Sequence, residues 1–219
     1  MRSDDEGGGA RRVLDAGRRH ALVRIAYRHI VERGFEGLRV REVAREAGMT
    51  HATLLYYFPT KEALIQAVVG YLAHEFSVSR LPDLAGADQG ALGDVRREFA
   101  DVRHRIRTTP EMFVVLSELA VRSRRDPAIA HILQALEAGW RGHLVDIIGR
   151  GVADGVFRSD LDVDAAALAL MAQLAAIGYR VLGPYAAEID HLIAQLAAQT
   201  EHWLTTSSAP SPTEKETGR

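Results

Sequence analysis

Apolar side chains recur every three or four residues along most of the chain, and this spacing constrains the fold more than any other feature. The first such stretch forms one stripe on a helix predicted over 12–33, made by Leu22, Ile25, Ala26 and Ile30. The strict alternation of apolar and polar residues that is typical of strands is absent. The pattern therefore predicts an all-α fold.

Glycine, proline and threonine divide this pattern into about nine helices. Gly34 offers a left-handed end to the first helix, and Phe35 can fold back onto its last turn. Thr50 and Thr60 can each cap the helix that follows by accepting a backbone hydrogen bond. The predicted helices span about 12–33, 40–47, 51–58, 61–76, 90–107, 111–125, 128–153, 163–182 and 186–204.

Composition excludes several classes of protein. The 219 residues include no cysteine, so disulfide scaffolds and thiol nucleophiles are ruled out. No apolar run reaches the ~18 residues that suggest a membrane span, and the acidic, glycine-rich start lacks the apolar segment of a signal peptide. We therefore expect a cytoplasmic globular protein, with disorder at 1–9 and 205–219.

The formal charge of −2 conceals an asymmetry along the chain. Residues 10–64 carry 11 Lys+Arg and 6 Asp+Glu, a net charge of +5, which leaves −7 for the remainder. A basic segment on an acidic body suggests that the segment binds a polyanion.

Residues 40–64 predict a helix-turn-helix. A short helix with apolar Val40, Val43 and Ala44 ends at Gly48, and a second short helix follows the Thr50 cap. In such pairs the second helix enters the DNA major groove through its N-terminal residues. The alternative is a plain pair of packed helices, which the local basic charge and the expected exposure of Tyr56, Tyr57 and Lys61 disfavour.

The stretch AGMTHATLLYYFPTKEAL, residues 47–64, resembles the signature of TetR-type transcriptional repressors. The C-terminal part is similar to a subgroup with an Arg125-Asp126-Pro127 break and a Gly155-Val156-Phe157 turn. The resemblance implies a DNA-binding domain over 10–60 and an effector-binding and dimerisation domain over 61–204. It also implies a regulator, most simply a repressor, that is not an enzyme and needs no cofactor or metal.

By this resemblance Tyr57 and Lys61 bind phosphates, and Thr50 caps the reading helix. The residues that face the bases are His51, Ala52, Thr53 and Leu55. Arg41 could reach a guanine through O6 and N7 together, and Tyr56 could stack on the backbone or reach a base. The implied DNA-binding residues are Arg39, Arg41, Thr50, His51, Ala52, Thr53, Leu55, Tyr56, Tyr57 and Lys61.

Two positions depart from the family pattern. Leu55 stands where an aromatic residue is common, so it can read only shape or a thymine methyl group. Leu38 and Arg39 replace the usual Thr or Ser before the second helix, which removes a cap, although Arg39 could supply charge to a phosphate instead.

The eighth predicted helix is apolar on two faces, and a helix of this kind must bury both. One face can pack on its own core and the other on a second copy of the chain, which favours a homodimer over a monomer with one large core. A two-fold dimer binds a near-palindromic operator. The expected interface residues are Leu168, Met171, Leu174, Ala175, Leu192, Leu196 and Trp203.

A small-molecule effector is expected among helices four to eight, although each candidate could be plain core. The candidates are Tyr71, His74, His104, Met112, Phe113, Leu116, Trp140 and His143. Their composition weakly favours an apolar or weakly polar effector, and the fourth helix is the hypothesised lever to the DNA-binding residues.

Two alternative functions remain open, an all-α metal enzyme and a scaffold that keeps only the fold. Glu188 and His191 have the spacing of one half of a di-iron site, but the second pair is missing. His143 and Asp146 could face each other on one helix, which is too little for a site. The arginines of the fifth helix most simply form a solvated face.

Overall fold

The computed structural model describes residues 5–78, 90–180, 183 and 188–206. Within these residues it is all-α, with nine helices and no strand. The helices are α1 (Asp5–Gly37), α2 (Val40–Glu46), α3 (His51–Tyr57), α4 (Lys61–Val78), α5 (Ala91–Thr108), α6 (Glu111–Ser123), α7 (Pro127–Ala153), α8 (Val163–Tyr179) and α9 (Ile189–Thr205). No helix in the described ranges is long and apolar enough to pass through a lipid bilayer.

The chain divides into two compact units, one of residues 1–80 and 109–137 and the other of 81–108 and 138–219. The first unit holds α1 to α4, α6 and the start of α7. The second holds α5, the rest of α7, α8 and α9. α6 belongs to the first unit because it packs against α1.

The core of the first unit is built on the stripe predicted for α1. Leu22 and Ala26 are fully buried, and Ile25 and Ile30 lie in the same core. Leu54 of α3 and Phe58 after it are buried in this core too. The burial of these side chains fixes α3 in the core of the first unit, where it packs against α2, and leaves the opposite face of α3 in solvent.

The core of the second unit confirms the two-faced character of α8. Leu170, Leu174 and Ile177 are at most 1% exposed, whereas Leu168 is 48% and Tyr179 47% exposed within the single chain. Leu174, one of the expected interface residues, therefore packs inside its own unit and is not available to a partner. Val181, which shares a helical stripe with Leu170 and Leu174 by its spacing, lies outside the described residues.

The arginines of α5 mostly pair with carboxylates of α9. Arg96 donates two hydrogen bonds to Glu201, at 2.9 and 2.8 Å, and Arg107 lies 2.6 Å from Asp190. Arg105 is buried. The run thus packs α5 on α9, and the expectation of a simple solvated face was incomplete.

Local signals mark two helix boundaries. Gly34 interrupts α1 with a φ of 68° and a ψ of 174°. This region is nearly exclusive to glycine, but it differs from the left-handed helical end that the sequence suggested, because α1 resumes and continues to Gly37. Phe35 behind Gly34 is buried. Asp126 caps α7 by accepting from the backbone N–H of Ala128 at 3.0 Å, with Pro127 in the first turn as expected.

Other helix bounds were predicted less well. α1 begins at Asp5 rather than near Arg12, so residues 5–9 are helical and the expected disorder there was wrong. The Ala and Arg residues that follow the glycines have high helix propensity and extend the helix toward the N-terminus. Residues 1–4 and 207–219 lie outside the described residues, as do the expected start of the ninth helix at Ala186 and the expected end of the eighth at Leu182.

Candidate nucleic-acid interface

The turn between α2 and α3 has a well-defined geometry. Gly48 has a φ of 67°, and its N–H donates to the carbonyl of Arg45 at 3.1 Å. The N–H of Met49 donates to the carbonyl of Ala44 at 2.8 Å. These two bonds form a Schellman motif, which ends α2 and redirects the chain into α3.

Thr50 caps α3, as the sequence predicted. Its Oγ1 accepts a hydrogen bond from the backbone N–H of Thr53 at 3.1 Å. The other backbone N–H groups of this first turn have no partner inside the helix, so the end of α3 is suited to approach a phosphate.

α3 presents one face to solvent. Leu54 is fully buried, while Tyr56 is 77% and Leu55 38% exposed. His51 and Ala52 are exposed beside them, and Thr53 is half-buried. The predicted base-reading residues therefore share one side of α3 and its first turn, away from the core.

The two predicted phosphate contacts flank the break between α3 and α4, Tyr57 at the end of α3 and Lys61 at the start of α4. Phe58 is buried, and Thr60 Oγ1 accepts from the N–H of Ala63 at 3.0 Å to cap α4. Tyr57 and Lys61 are half-buried rather than fully exposed, which corrects the sequence-based expectation. The Tyr57 hydroxyl donates to Asp15 Oδ1 at 2.9 Å.

The start of α2 bears two exposed arginines, Arg39 and Arg41. Arg39 is the N-cap residue and makes no side-chain capping bond, as expected from the loss of Thr or Ser there. Its guanidinium instead donates to the carbonyl of Glu36 at 2.7 Å. Arg41 projects from the first turn of α2, on the same helix-turn-helix as the exposed face of α3.

Charged contacts fasten α2 to α1. Glu46 accepts from Arg28 at 2.7 Å and is bonded to the buried His29 at 2.8 Å. Glu42 accepts from Arg33 at 2.5 Å. The hydrogen bond to His29 lowers the pKa of Glu46 below its usual range, and the bond to Arg33 lowers the pKa of Glu42. These contacts orient the helix-turn-helix relative to α1.

The predicted effector residues fall into separate groups. Tyr71 and His74 line a cleft of about 850 Å³ between α1 and α4, together with Arg19, His20 and Gln66. Met112 and Phe113 of α6 are buried, and Leu116 is half-buried. Tyr71 packs edge-on against Tyr27 with ring centroids 5.9 Å apart, so it contributes to the first unit's core as well as to the cleft.

Trp140 and His143 come together in the second unit through a shared carboxylate. Trp140 Nε1 donates to Glu98 Oε2 at 3.2 Å, and His143 Nε2 lies 3.0 Å from Glu98 Oε1. His143 therefore contacts Glu98 of α5, a partner that its helical spacing to Asp146 did not suggest. His104, on the same helix as Glu98, is exposed.

No group of three or more His, Asp or Glu residues in the described part of the chain is arranged to hold a metal ion. Glu188 and His191 line a small surface hollow with Arg180 and Gln195.

Comparison with known proteins decides the family. The family model described as "Bacterial regulatory proteins, tetR family" matches residues 22–68, and "BetI-type transcriptional repressor, C-terminal" matches 95–204, half of the chain. The chain belongs to the TetR family. The transcriptional repressor KstR2 of Mycolicibacterium smegmatis is 30% identical over 68% of this chain and 72% of its own length.

Solved TetR-type structures share the fold. A TetR regulator from Haloarcula marismortui has a TM-score of 0.76 at 21% identity, covering 87% of this chain and all of its own. A regulator from Saccharomonospora viridis, solved in complex with choline, has a TM-score of 0.72 at 25% identity over 88% of this chain and 100% of its own. The TetR family consists of DNA-binding transcription regulators rather than enzymes.

Sequence analysis did not predict two residues that contact candidate site residues, Asp15 beside Tyr57 and Glu98 beside Trp140 and His143. Neither lies in a motif, and their partners are 42 and 45 residues away along the chain. A single aspartate near the start of the predicted 12–33 helix is common enough to carry no signal. Only the packing of α1 beside the α3–α4 break brings Asp15 to Tyr57.

Proposed function

We propose that this TetR-family regulator represses transcription by binding a near-palindromic operator as a homodimer, and that a small-molecule effector releases it. The observation that carries the proposal is the exposed face of α3, with Tyr56 77% exposed. This face lies within the basic segment of residues 10–64. KstR2 of Mycolicibacterium smegmatis is itself a repressor.

The proposed contacts separate into positioning and reading. Tyr57, Lys61 and Arg39 would bind phosphates and set the position of the duplex. Arg41, His51 and Thr53 would read base edges in the major groove, and Leu55 would contact a thymine methyl group. In this account residues 10–60 form the DNA-binding domain and residues 61–204 the effector-binding and dimerisation domain.

The homodimer is supported by the outer stripe of α8. Leu168 and Tyr179 are nearly half exposed, and Met171 and Ala175 between them are partly exposed. Leu192, Leu196 and Trp203 of α9 are also partly exposed. Two copies of α8 and α9 would bury these apolar side chains in a four-helix bundle. A dimer of this kind places two reading helices on two half-sites.

The effector proposal rests on Trp140 and His143, the two predicted residues that share Glu98. An indole beside a carboxylate can bind a cation, and the related regulator from Saccharomonospora viridis holds choline. The apolar neighbours of Trp140 also fit a weakly polar molecule. The ligand acts by having different affinities for the DNA-bound and free states of the regulator.

Selection of bound fragments from genomic DNA tests the repressor proposal. We expect recovery of fragments that share an inverted repeat, protected by two chains per site. Fragments without a shared sequence would contradict specific recognition. A shared but asymmetric site occupied by one chain would contradict the homodimer.

Replacement of Trp140 by Ala tests the effector site, using a screen of small molecules against release of the selected DNA. An active compound should lose its effect on Trp140→Ala but keep it on Val121→Ala, a truncation at an exposed apolar position of α6 outside the proposed interface. An unchanged response of Trp140→Ala would show that the effector binds elsewhere.

A further inference from the structure

The hydroxyl of Tyr57 is already engaged in the protein without DNA. It donates to Asp15 Oδ1 at 2.9 Å, and both side chains are half-buried. One turn further along α1, the Arg19 guanidinium lies 5.0 Å from the centre of the Phe58 ring. Two successive turns of α1 therefore contact the segment in which α3 ends, and the Asp15 bond belongs to this packed arrangement.

Hydrogen-bond stoichiometry makes this contact consequential. A tyrosine hydroxyl has one hydrogen to donate, and a carboxylate can only accept. The oxygens of a DNA phosphate diester also accept and do not donate. Asp15 and a phosphate therefore compete for the same hydrogen of Tyr57. The negative charge of Asp15 also opposes the approach of the phosphate.

We propose that Asp15 is a positioning residue that restrains DNA affinity, because it holds the Tyr57 hydroxyl until a phosphate displaces it. The inference rests on the proposed contact between Tyr57 and a phosphate. In the absence of DNA, Asp15 holds the Tyr57 ring in place. Binding of DNA of any sequence must break the Tyr57–Asp15 hydrogen bond before Tyr57 can donate to a phosphate, and this lowers the affinity. The restraint acts on phosphate binding and leaves base reading unchanged.

A double-mutant cycle on a duplex recovered by the fragment selection tests this inference. Affinity is measured for the wild type, Asp15→Ala, Tyr57→Phe and the double variant. Asp15→Ala should raise affinity about fivefold where Tyr57 is present, since it removes a charged acceptor. With Phe at position 57 the gain should fall below about twofold, because no hydroxyl remains to be released.

Two further variants keep the cycle interpretable. Asp15→Asn is nearly isosteric and replaces the charged acceptor by a neutral amide, which holds the tyrosine hydrogen less strongly. It should therefore raise affinity in the same direction, even if the alanine variant is unstable. Glu62→Gln removes one negative charge from the exposed first turn of α4. Its effect should be the same with Tyr or Phe at position 57.

Each remaining outcome overturns the inference. An equal gain from Asp15→Ala in both backgrounds would mean that charge alone acts, and a loss of affinity would mean that Asp15 supports DNA binding. If Tyr57→Phe leaves affinity unchanged while the wild type binds its site specifically, the inference fails and the proposed function stands. If the wild type recovers no shared sequence in the selection, that result contradicts the proposed function itself.

Discussion

Gly48 adopts a backbone conformation that other residues reach only at a cost. Its φ is 67°, and a Cβ added there would meet nothing within 4 Å. Gly17 lies inside α1 and also has no neighbour within 4 Å of an added Cβ, but no positive φ. The two positions therefore differ in backbone conformation and not in the room available for a Cβ.

Gly48→Ala should destabilise the protein by about 1–2 kcal/mol, because an alanine in the left-handed region is strained. Gly17→Ala should stabilise it by about 0.4–1 kcal/mol, because alanine favours a helix. Denaturant unfolding of both variants measures the two signs. Equal changes in the free energy of unfolding would show that an alanine at position 48 is not strained.

Lys61 and Arg41 should affect DNA binding in different ways. Lys61→Gln should weaken binding to all sequences and reduce the salt slope by about 0.9, since one phosphate contact is lost. Arg41→Ala should cost about 1–3 kcal/mol of discrimination at one base pair. Titrations of the selected duplex and its single-base variants at several salt concentrations separate these effects.

Arg124→Gln is the control for charge. This arginine is exposed and follows α6, outside the helix-turn-helix, so its replacement should change the slope much less than Lys61→Gln. Identical slopes for the two variants would mean that Lys61 acts only through net charge.

At the level of elements, the attachment of α2 to α1 should depend on pH. The hydrogen bonds from Arg33 and His29 lower the pKa of Glu42 and Glu46 in the folded protein. A lowered pKa contributes stability above the unfolded value, near 4.5, and this contribution is lost as the pH falls through the folded value. Thermal unfolding should therefore shift to lower temperature as the pH decreases below about 4.5.

Glu42→Gln should weaken this dependence, and in an Arg33→Gln background the same substitution should have little further effect, because its partner is gone. Thermal unfolding of the wild type, Glu42→Gln, Arg33→Gln and the double variant is measured from pH 6 to pH 3. If Glu42→Gln reduced the pH dependence of unfolding equally with Arg and with Gln at position 33, the Arg33–Glu42 bond would not be its cause.

Local signals explain why much of this architecture was predictable. The Thr50 and Thr60 caps join residues three apart, and Gly48 ends α2 through bonds to the preceding turn. The inward position of Leu54 and Phe58 follows from helical spacing. These features depend on the immediate sequence, so the helix-turn-helix could be predicted in detail.

Contacts between distant residues could not be predicted in this way. Asp15 finds Tyr57, and Glu98 finds Trp140 and His143, only because separate helices pack together. The early start of α1 escaped prediction because three glycines argued for disorder. Helical spacing predicted that Leu174 shares one apolar face of α8 with Leu170 and Ile177. It could not predict that this face, and not the face of Leu168, would be buried in the chain's own core.

For the whole molecule, the outer stripe of α8 should control assembly. The wild type should have twice the 24.0 kDa mass of one chain. Leu168 and Tyr179 are nearly half exposed in the single chain, and a second copy of α8 would bury them. Leu168→Glu should yield a monomer, since it introduces a charge into an apolar interface. Sedimentation at several concentrations measures both masses.

Val121→Glu is the matched control, because Val121 is an apolar residue of α6 with 69% exposure. It should remain dimeric and retain DNA binding. A wild type of single-chain mass, or a Leu168→Glu variant that remains dimeric, would show that α8 does not form the interface.

Specific DNA recognition by α3 is the central claim, and one titration tests it most directly. The selected duplex and a shuffled duplex of equal length and composition are each titrated with the wild type at two salt concentrations. The selected duplex should bind at least about 10³-fold more tightly, and both affinities should fall steeply with salt. Equal affinities for the two duplexes would contradict the claim, because binding would then rest on charge alone.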